Sequence, residues 1–194
     1  MVATPVKSST ETSSTLTLEE FLALPETKPA REYHPGRIET KPMPKGKHSR
    51  IQARLARAID EVAEDRKIAL ALTELRCSFA GRSIVPDIAV LRWANLPRDE
   101  DGEISDQVTC PPDWIIEILS PDQAFPLVME KILFSLSQGT ELGWLIDPHT
   151  KGITVFNHSR PQIHLPGDPT PLKVLEGLED WQITHQTLFD WLKV

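Results

Sequence analysis

Three charged side chains stand inside apolar runs: Asp87 in Ile84-Val85-Pro86-Asp87-Ile88-Ala89-Val90-Leu91, Glu117 in Trp114-Ile115-Ile116-Glu117-Ile118-Leu119, and Lys131 in Leu127-Val128-Met129-Glu130-Lys131-Ile132-Leu133-Phe134. An unpaired buried charge is costly, so two carboxylates and an amine in such surroundings are best explained by meeting one another, or by a metal ion that compensates the carboxylates. The chemistry open to that set is metal-assisted phosphodiester cleavage. Its pentavalent, anionic transition state needs a charge clamp and its nucleophile is a deprotonated water, and a divalent metal supplies both. Carboxylate oxygens suit magnesium, for which two protein ligands suffice. A nearby lysine can orient the attacking water or stabilise the developing charge. The competing reading is a purely structural carboxylate–lysine pair.

The elements that must position these groups follow from periodicity and punctuation. Thr17-Leu18-Glu19-Glu20 fits a capping box for a short helix ending before Pro25. Residues 33–44 read as an extended hairpin turning at Gly36, with Glu32 at its start. Ile51, Leu55, Ala58, Ile59 and Val62 predict a helix over 49–66, with Arg50, Arg54 and Arg57 on another face. His48, if helical, projects with Leu55 toward the core, either as a satisfied half-buried histidine or as a site residue. Strands are predicted over 69–79, 84–91 and 114–119, the last two apolar on both faces and so central. Pro86 demands a bulge or bend that can aim Asp87. Asp87 and Glu117 then lie on neighbouring strands and project to one face. The acidic stretch 93–112 is a long loop, either a mobile insertion near the site or plain surface. A helix over 125–138, with Pro126 in its first turn and Gly139 as its stop, places Leu127, Val128, Lys131 and Phe134 on one face. There Lys131 either snorkels to water or turns toward the carboxylates. Strands over 143–146, 153–158 and 162–165, a loop over 166–177 and a helix over 188–193 complete the chain.

A chain of 194 residues, 40% hydrophobic and 25% charged, supports one good core, so a single domain over 16–194 is expected behind a Ser/Thr-rich disordered tail at 1–15. Cys77 and Cys110 lack metal-like spacing or a disulfide framework, which points to a reducing, cytoplasmic setting. No apolar run is long enough for a membrane span, and the N-terminus lacks the apolar core of a signal peptide. Net charge is −7, unfavourable for a polyanionic partner, yet Arg37, Lys41, Lys45, Lys47, Arg50, Arg54 and Arg57 gather against a single acid, Glu39. That run is either a solvated helix face or a DNA track. The five tryptophans read as core and interface anchors, and the dispersed histidines lack zinc-ligand spacing.

Beyond these readings, the arrangement Pro86-Asp87, then Glu117-Ile118-Leu119-Ser120-Pro121, then Lys131, then Glu141-Leu142-Gly143-Trp144-Leu145-Ile146-Asp147-Pro148 resembles the bacterial putative restriction endonuclease family of the PD-(D/E)XK nuclease superfamily, once catalogued as a domain of unknown function. The likeness runs from about Leu16 to the C-terminus and takes in the helix start at Leu16-Thr17, Glu32 four residues before Gly36, and His48 opening the Arg-bearing helix. It implies an α/β (α+β) restriction-endonuclease-like core, a mixed sheet flanked by helices. Asp87 and Glu117 would bind Mg2+ or Mn2+, Glu32 would be a third acidic contributor, and Lys131 would be a migrated catalytic lysine, since Leu119 stands where the superfamily pattern places lysine. Two departures stand out: Asp122-Gln123-Ala124-Phe125-Pro126 lacks the basic residues of relatives, and Gly143 replaces the aromatic that usually precedes Trp144.

The leading expectation is a magnesium-dependent DNA endonuclease. In it Asp87, Glu117, Lys131 and Glu32 are catalytic, His48 contacts water or phosphate, Lys45, Lys47, Arg50, Arg54 and Arg57 contact DNA, and a homodimer, by family analogy, cuts both strands. The alternative is a catalytically inactive nuclease fold acting as a DNA-binding or self-associating module. A third reading is a hydrolase for a small phosphorylated metabolite, with no need of the basic track.

Overall fold

The computed structural model describes residues 16–121 and 123–193; the expected tail at 1–15 lies outside them. Helix α1 (Leu18–Leu22) opens with the predicted capping box, Thr17 accepting from the Glu20 N–H while Glu20 accepts from the Thr17 N–H. Strands β1 (Arg31–His34) and β2 (Arg37–Thr40) form the predicted hairpin. Its two-residue turn puts Pro35 where φ is fixed and Gly36 at φ 78°, a value that favours glycine. Helix α2 (Gly46–Ala63) buries Ile51, Leu55 and Ile59 as the periodicity requires, and starts three residues earlier than predicted, which brings His48 inside its first turn.

The sequence predicts one strand over 69–79 and one over 84–91; each is two. The first divides into β3 (Ala69–Thr73) and β4 (Cys77–Phe79), the chain leaving strand geometry at Glu74, φ 53°. The second divides into β5 (Arg82–Ile84) and β6 (Ile88–Arg92) around Val85-Pro86-Asp87. The bend at Pro86 is thus a passage between sheets, not a bulge within one. Strands β2, β1, β5 and β4, in that order, make a four-stranded antiparallel sheet that the sequence reading does not contain.

The larger sheet has the order β10-β9-β8-β7-β6-β3, with β7 (Trp114–Ile118), β8 (Leu142–Asp147), β9 (Gly152–Phe156) and β10 (Gln162–His164). Only β7 and β8 are parallel, and helix α3 (Phe125–Ser137) makes their crossover. The molecule is therefore the expected mixed sheet flanked by helices. Helix α3 buries Val128, Lys131, Ile132, Ser135 and Leu136, whereas Leu127, predicted on the same face, is exposed. Helix α4 (His185–Asp190) starts earlier than the predicted 188–193, because Thr184 caps it by accepting from the Thr187 N–H.

Alternation along β7 divides the interior. Trp114, Ile116 and Ile118 pack with Trp144, Ile146 and the apolar stripe of α2; Ile115 and Leu119 pack with Val128, Ile132 and Leu136 of α3. Glu117 shares the second face. Gly143 of β8 also lies there: a Cβ on it would sit 2.4 Å from Ile132 Cγ2, so the aromatic expected at this position is excluded by the closeness of α3. No helix among the described residues is long and apolar enough to cross a membrane, and Cys77 and Cys110 are free thiols.

Candidate active site

The register that pairs Ile88 with Ile116 sets Asp87, one residue earlier, opposite Glu117. Both are buried, at 2% and 1% exposure. Asp87 Oδ1 accepts from Lys41 Nζ at 2.8 Å; Oδ2 accepts from the Ile118 N–H at 2.7 Å and lies 3.1 Å from His48 Nε2. Burial opposes ionisation of Asp87, but the Lys41 ammonium and the His48 hydrogen bond outweigh it and hold the carboxyl well below the usual carboxylate range. Lys41 also donates to Glu74 at 3.0 Å and to the Val85 carbonyl at 2.8 Å. Against burial, Asp87 above all raises its pKa and keeps it an ammonium.

Lys131 turns inward from α3, not outward to water, and lies 2.9 Å from both Glu32 Oε1 and Glu117 Oε1. The Glu32 contact is aligned as a hydrogen bond, and the Glu117 contact is an ion pair in which the Lys131 ammonium faces Oε1. Burial, reinforced by the charge of Asp87 and Glu32, pushes the Glu117 carboxyl up to about 8 despite the opposing Lys131. Lys131 itself is desolvated, yet Glu117 and Glu32 raise its pKa, so it stays protonated. In Glu32 burial is outweighed by Lys131 and by the Val85 N–H, which donates to Oε1 at 2.7 Å, and its pKa is lowered.

The polar groups at Val85 thus meet site side chains, its N–H on Glu32 and its carbonyl on Lys41. The passage between the sheets and the charged cluster hold one another in place. Three carboxylates, Glu32, Asp87 and Glu117, surround two ammonium groups. With the Glu117 carboxyl keeping its proton below about pH 8 the cluster is balanced in charge, and its oxygen-rich donor set fits a hard divalent cation that would displace that proton. The cluster opens on cavities of about 310 Å³, reaching Glu32 and Lys131, and about 430 Å³, reaching Asp87, His48 and Lys41. A further cavity of about 620 Å³, lined by Leu172 and Trp181, holds none of these residues.

The structure therefore brings together Glu32, His48, Asp87, Glu117 and Lys131. Of the two alternatives for His48, it is buried and touches Asp87. The arginines of α2 point elsewhere: Arg50 donates to the Trp191 carbonyl, Arg54 lies over the Trp191 ring, and Arg57 pairs with Glu61. At ~100° per residue Arg57 is on the side of the helix opposite His48. Lys45 and Lys47 are exposed at the start of α2. The sequence reading misses Lys41 and Gln52. Lys41 appears there as one member of a surface basic run, although it is 8% exposed. Gln52 donates to the Asp87 carbonyl and to Glu74. One signal could have separated Lys41 from the run: it precedes Pro42 and so lies in extended chain, off the helical face that carries the arginines.

The Uma2 family model, described as a putative restriction endonuclease, matches residues 18–186. Among solved structures, the chain is similar to the crystal structure of a putative nuclease belonging to DUF820 from Anabaena variabilis, with 44% sequence identity, a TM-score of 0.87, and coverage of 91% of this chain and 98% of that one. No curated protein matches.

Proposed function

The chain belongs to the Uma2 family of putative restriction endonucleases, and we propose that it is a metal-dependent endonuclease that hydrolyses DNA phosphodiester bonds at the Asp87–Glu117 cluster. The observation that carries this reading is the opposed pair Asp87 and Glu117, buried on the α3 side of the sheet, with the Lys131 ammonium 2.9 Å from Glu117 Oε1. A Mg2+ or Mn2+ ion held by Asp87 and Glu117 would supply Lewis acidity at the phosphate and lower the pKa of the attacking water.

The chain's own residues do the rest. Lys131, kept protonated, neutralises charge developing on the phosphoryl oxygens rather than acting as a base. Glu32 orients it by accepting from its ammonium. Lys41, His48 and the Ile118 N–H hold Asp87 ionised and fixed in direction. Lys45 and Lys47 supply phosphate contacts beside the first turn of α2; Arg50 and Arg54, toward Trp191, and Arg57, beside Glu61, act from the far side of that helix. A homodimer would present two such sites to the two strands, and the free thiols suit a reducing, cytoplasmic setting.

One observation favours a second reading, a cleavage-incompetent nuclease fold that binds DNA or itself: both Asp87 oxygens already have partners, Lys41 on one and His48 with Ile118 on the other. Nicking of supercoiled plasmid separates the two. The wild type should nick with Mg2+ or Mn2+ and not with chelator, and Lys131→Ala prepared identically should not. Equal traces from both proteins would mean contamination and favour the binding module, as would a melting temperature blind to both metals.

A further inference from the structure

The β1–β2 hairpin carries a second cluster, which shares Glu32 with the hydrolysis site and adds His34 and Glu39, two residues that the hydrolysis reading leaves unused. Alternation puts Glu32 and His34 on one face of β1, and the register sets Glu39 of β2 directly opposite Glu32. Two carboxylates paired across strands repel. Arg37 approaches Glu39 Oε1 to 3.1 Å, but Glu39 Oε2 faces His34. His34 is 6% exposed, and both of its ring nitrogens lack a hydrogen-bond partner. A buried imidazole so placed is missing a cation or a donor.

All three residues line the cavity of about 310 Å³. One ligand atom from each lies within 4.8 Å of the other two, the single such His, Cys, Asp or Glu group among the described residues. His34 Nε2 and Glu39 Oε2 are 3.8 Å apart, too far for a hydrogen bond. That separation is near the ~3.4 Å expected for two ligands each ~2.1 Å from a tetrahedral ion. Glu32 commits Oε1 to Val85 and Lys131, which orients the carboxylate.

We infer that Glu32, His34 and Glu39 bind a divalent transition-metal ion of the manganese-to-zinc series. An imidazole with two carboxylates suits those ions and disfavours magnesium and calcium, which prefer oxygen ligands alone. The site is separate from Asp87 and Glu117, is linked to Glu117 through Glu32 and Lys131, and stands whether or not the chain cleaves DNA.

The test is calorimetric titration of Zn2+ into the full chain after chelator treatment, with Co2+ as a visible-absorption probe, using wild type, His34→Ala, Glu39→Gln and Asp87→Asn. One zinc per chain is expected at this site, with a cobalt band in the visible. His34→Ala and Glu39→Gln should weaken binding at least tenfold and lose the band while keeping the metal-free unfolding midpoint, and Asp87→Asn should keep both signals. If His34→Ala does not fold, Glu39→Gln decides alone, since its side chain is 29% exposed. No zinc binding by wild type, unchanged affinity in Glu39→Gln, or loss confined to Asp87→Asn would each overturn the inference.

Discussion

The two faces of the six-stranded sheet are built from the same strands and do different work. On the α2 side, Trp114, Ile116 and Ile118 meet Trp144, whose ring stacks edge-on to Trp114 with centroids 4.8 Å apart, and every position is apolar. On the α3 side the same strand reads Ile115, Glu117, Leu119, and its apolar neighbours enclose a carboxyl group instead of another methyl group. The first face is a core that any well-packed hydrophobic set could supply. The second desolvates ions at a cost that replacement by apolar residues would remove. That cost is the reason the α3 face, and not the larger apolar one, is proposed to carry the chemistry.

This contrast is sharpest in a pair of variants. Asp87→Asn should lower metal-dependent nicking by ~10²–10³-fold, the scale of losing one electrostatic stabiliser, with cooperative unfolding retained. Trp144→Ala should cost about 3–5 kcal/mol in urea denaturation while the surviving folded fraction nicks at the normal rate. Loss of activity in both beyond the loss of fold would erase the distinction between the faces. Lys41→Met leaves Asp87 buried without its ammonium partner, so denaturant unfolding should show a loss of about 3–5 kcal/mol; a neutral outcome would make Lys41 dispensable to the cluster. Gly143→Ala, which drives a methyl against Ile132, should cost about 1–3 kcal/mol by the same measurement.

How far these features could be read in the sequence depended on the kind of signal. Asp87, Glu117 and Lys131 were legible because a charge inside an apolar run is conspicuous, and Gly36 and Thr17 because turns and caps carry local chemistry. Lys41 was not, since it comes from a proline-punctuated connector where nothing periodic marks it as buried. Nor was the four-stranded sheet: an alternating run looks the same whichever sheet it joins, and the breaks at Glu74 and at Val85-Pro86-Asp87 are satisfied by distant partners such as Glu32 and Lys41. The cluster of Glu32, His34 and Glu39 depends on hairpin register, which spacing alone does not reveal.

A smaller effect concerns pH. The Glu117 carboxyl, raised from an ordinary 4.5 to about 8, is protonated in folded and unfolded chains alike below pH 4.5. Between 4.5 and about 8 only the unfolded chain gives up the proton, so this group's contribution to stability falls as pH rises through that window. In chelator, the stability difference between Glu117→Gln and wild type should therefore shift in favour of the variant from pH 5 to pH 8. A constant difference would mean that Glu117 ionises normally in the fold.

The most direct measurement compares two adjacent residues of β7 that face opposite ways. Plasmid nicking with Mg2+ or Mn2+ would be followed for Glu117→Gln and Ile118→Val alongside wild type, each normalised to its folded fraction. Glu117→Gln is expected to lose metal-dependent nicking, and Ile118→Val, destabilised by about 0.5–1.5 kcal/mol, to retain it. Nicking by Glu117→Gln at the wild-type rate would contradict the assignment of chemistry to the α3 face.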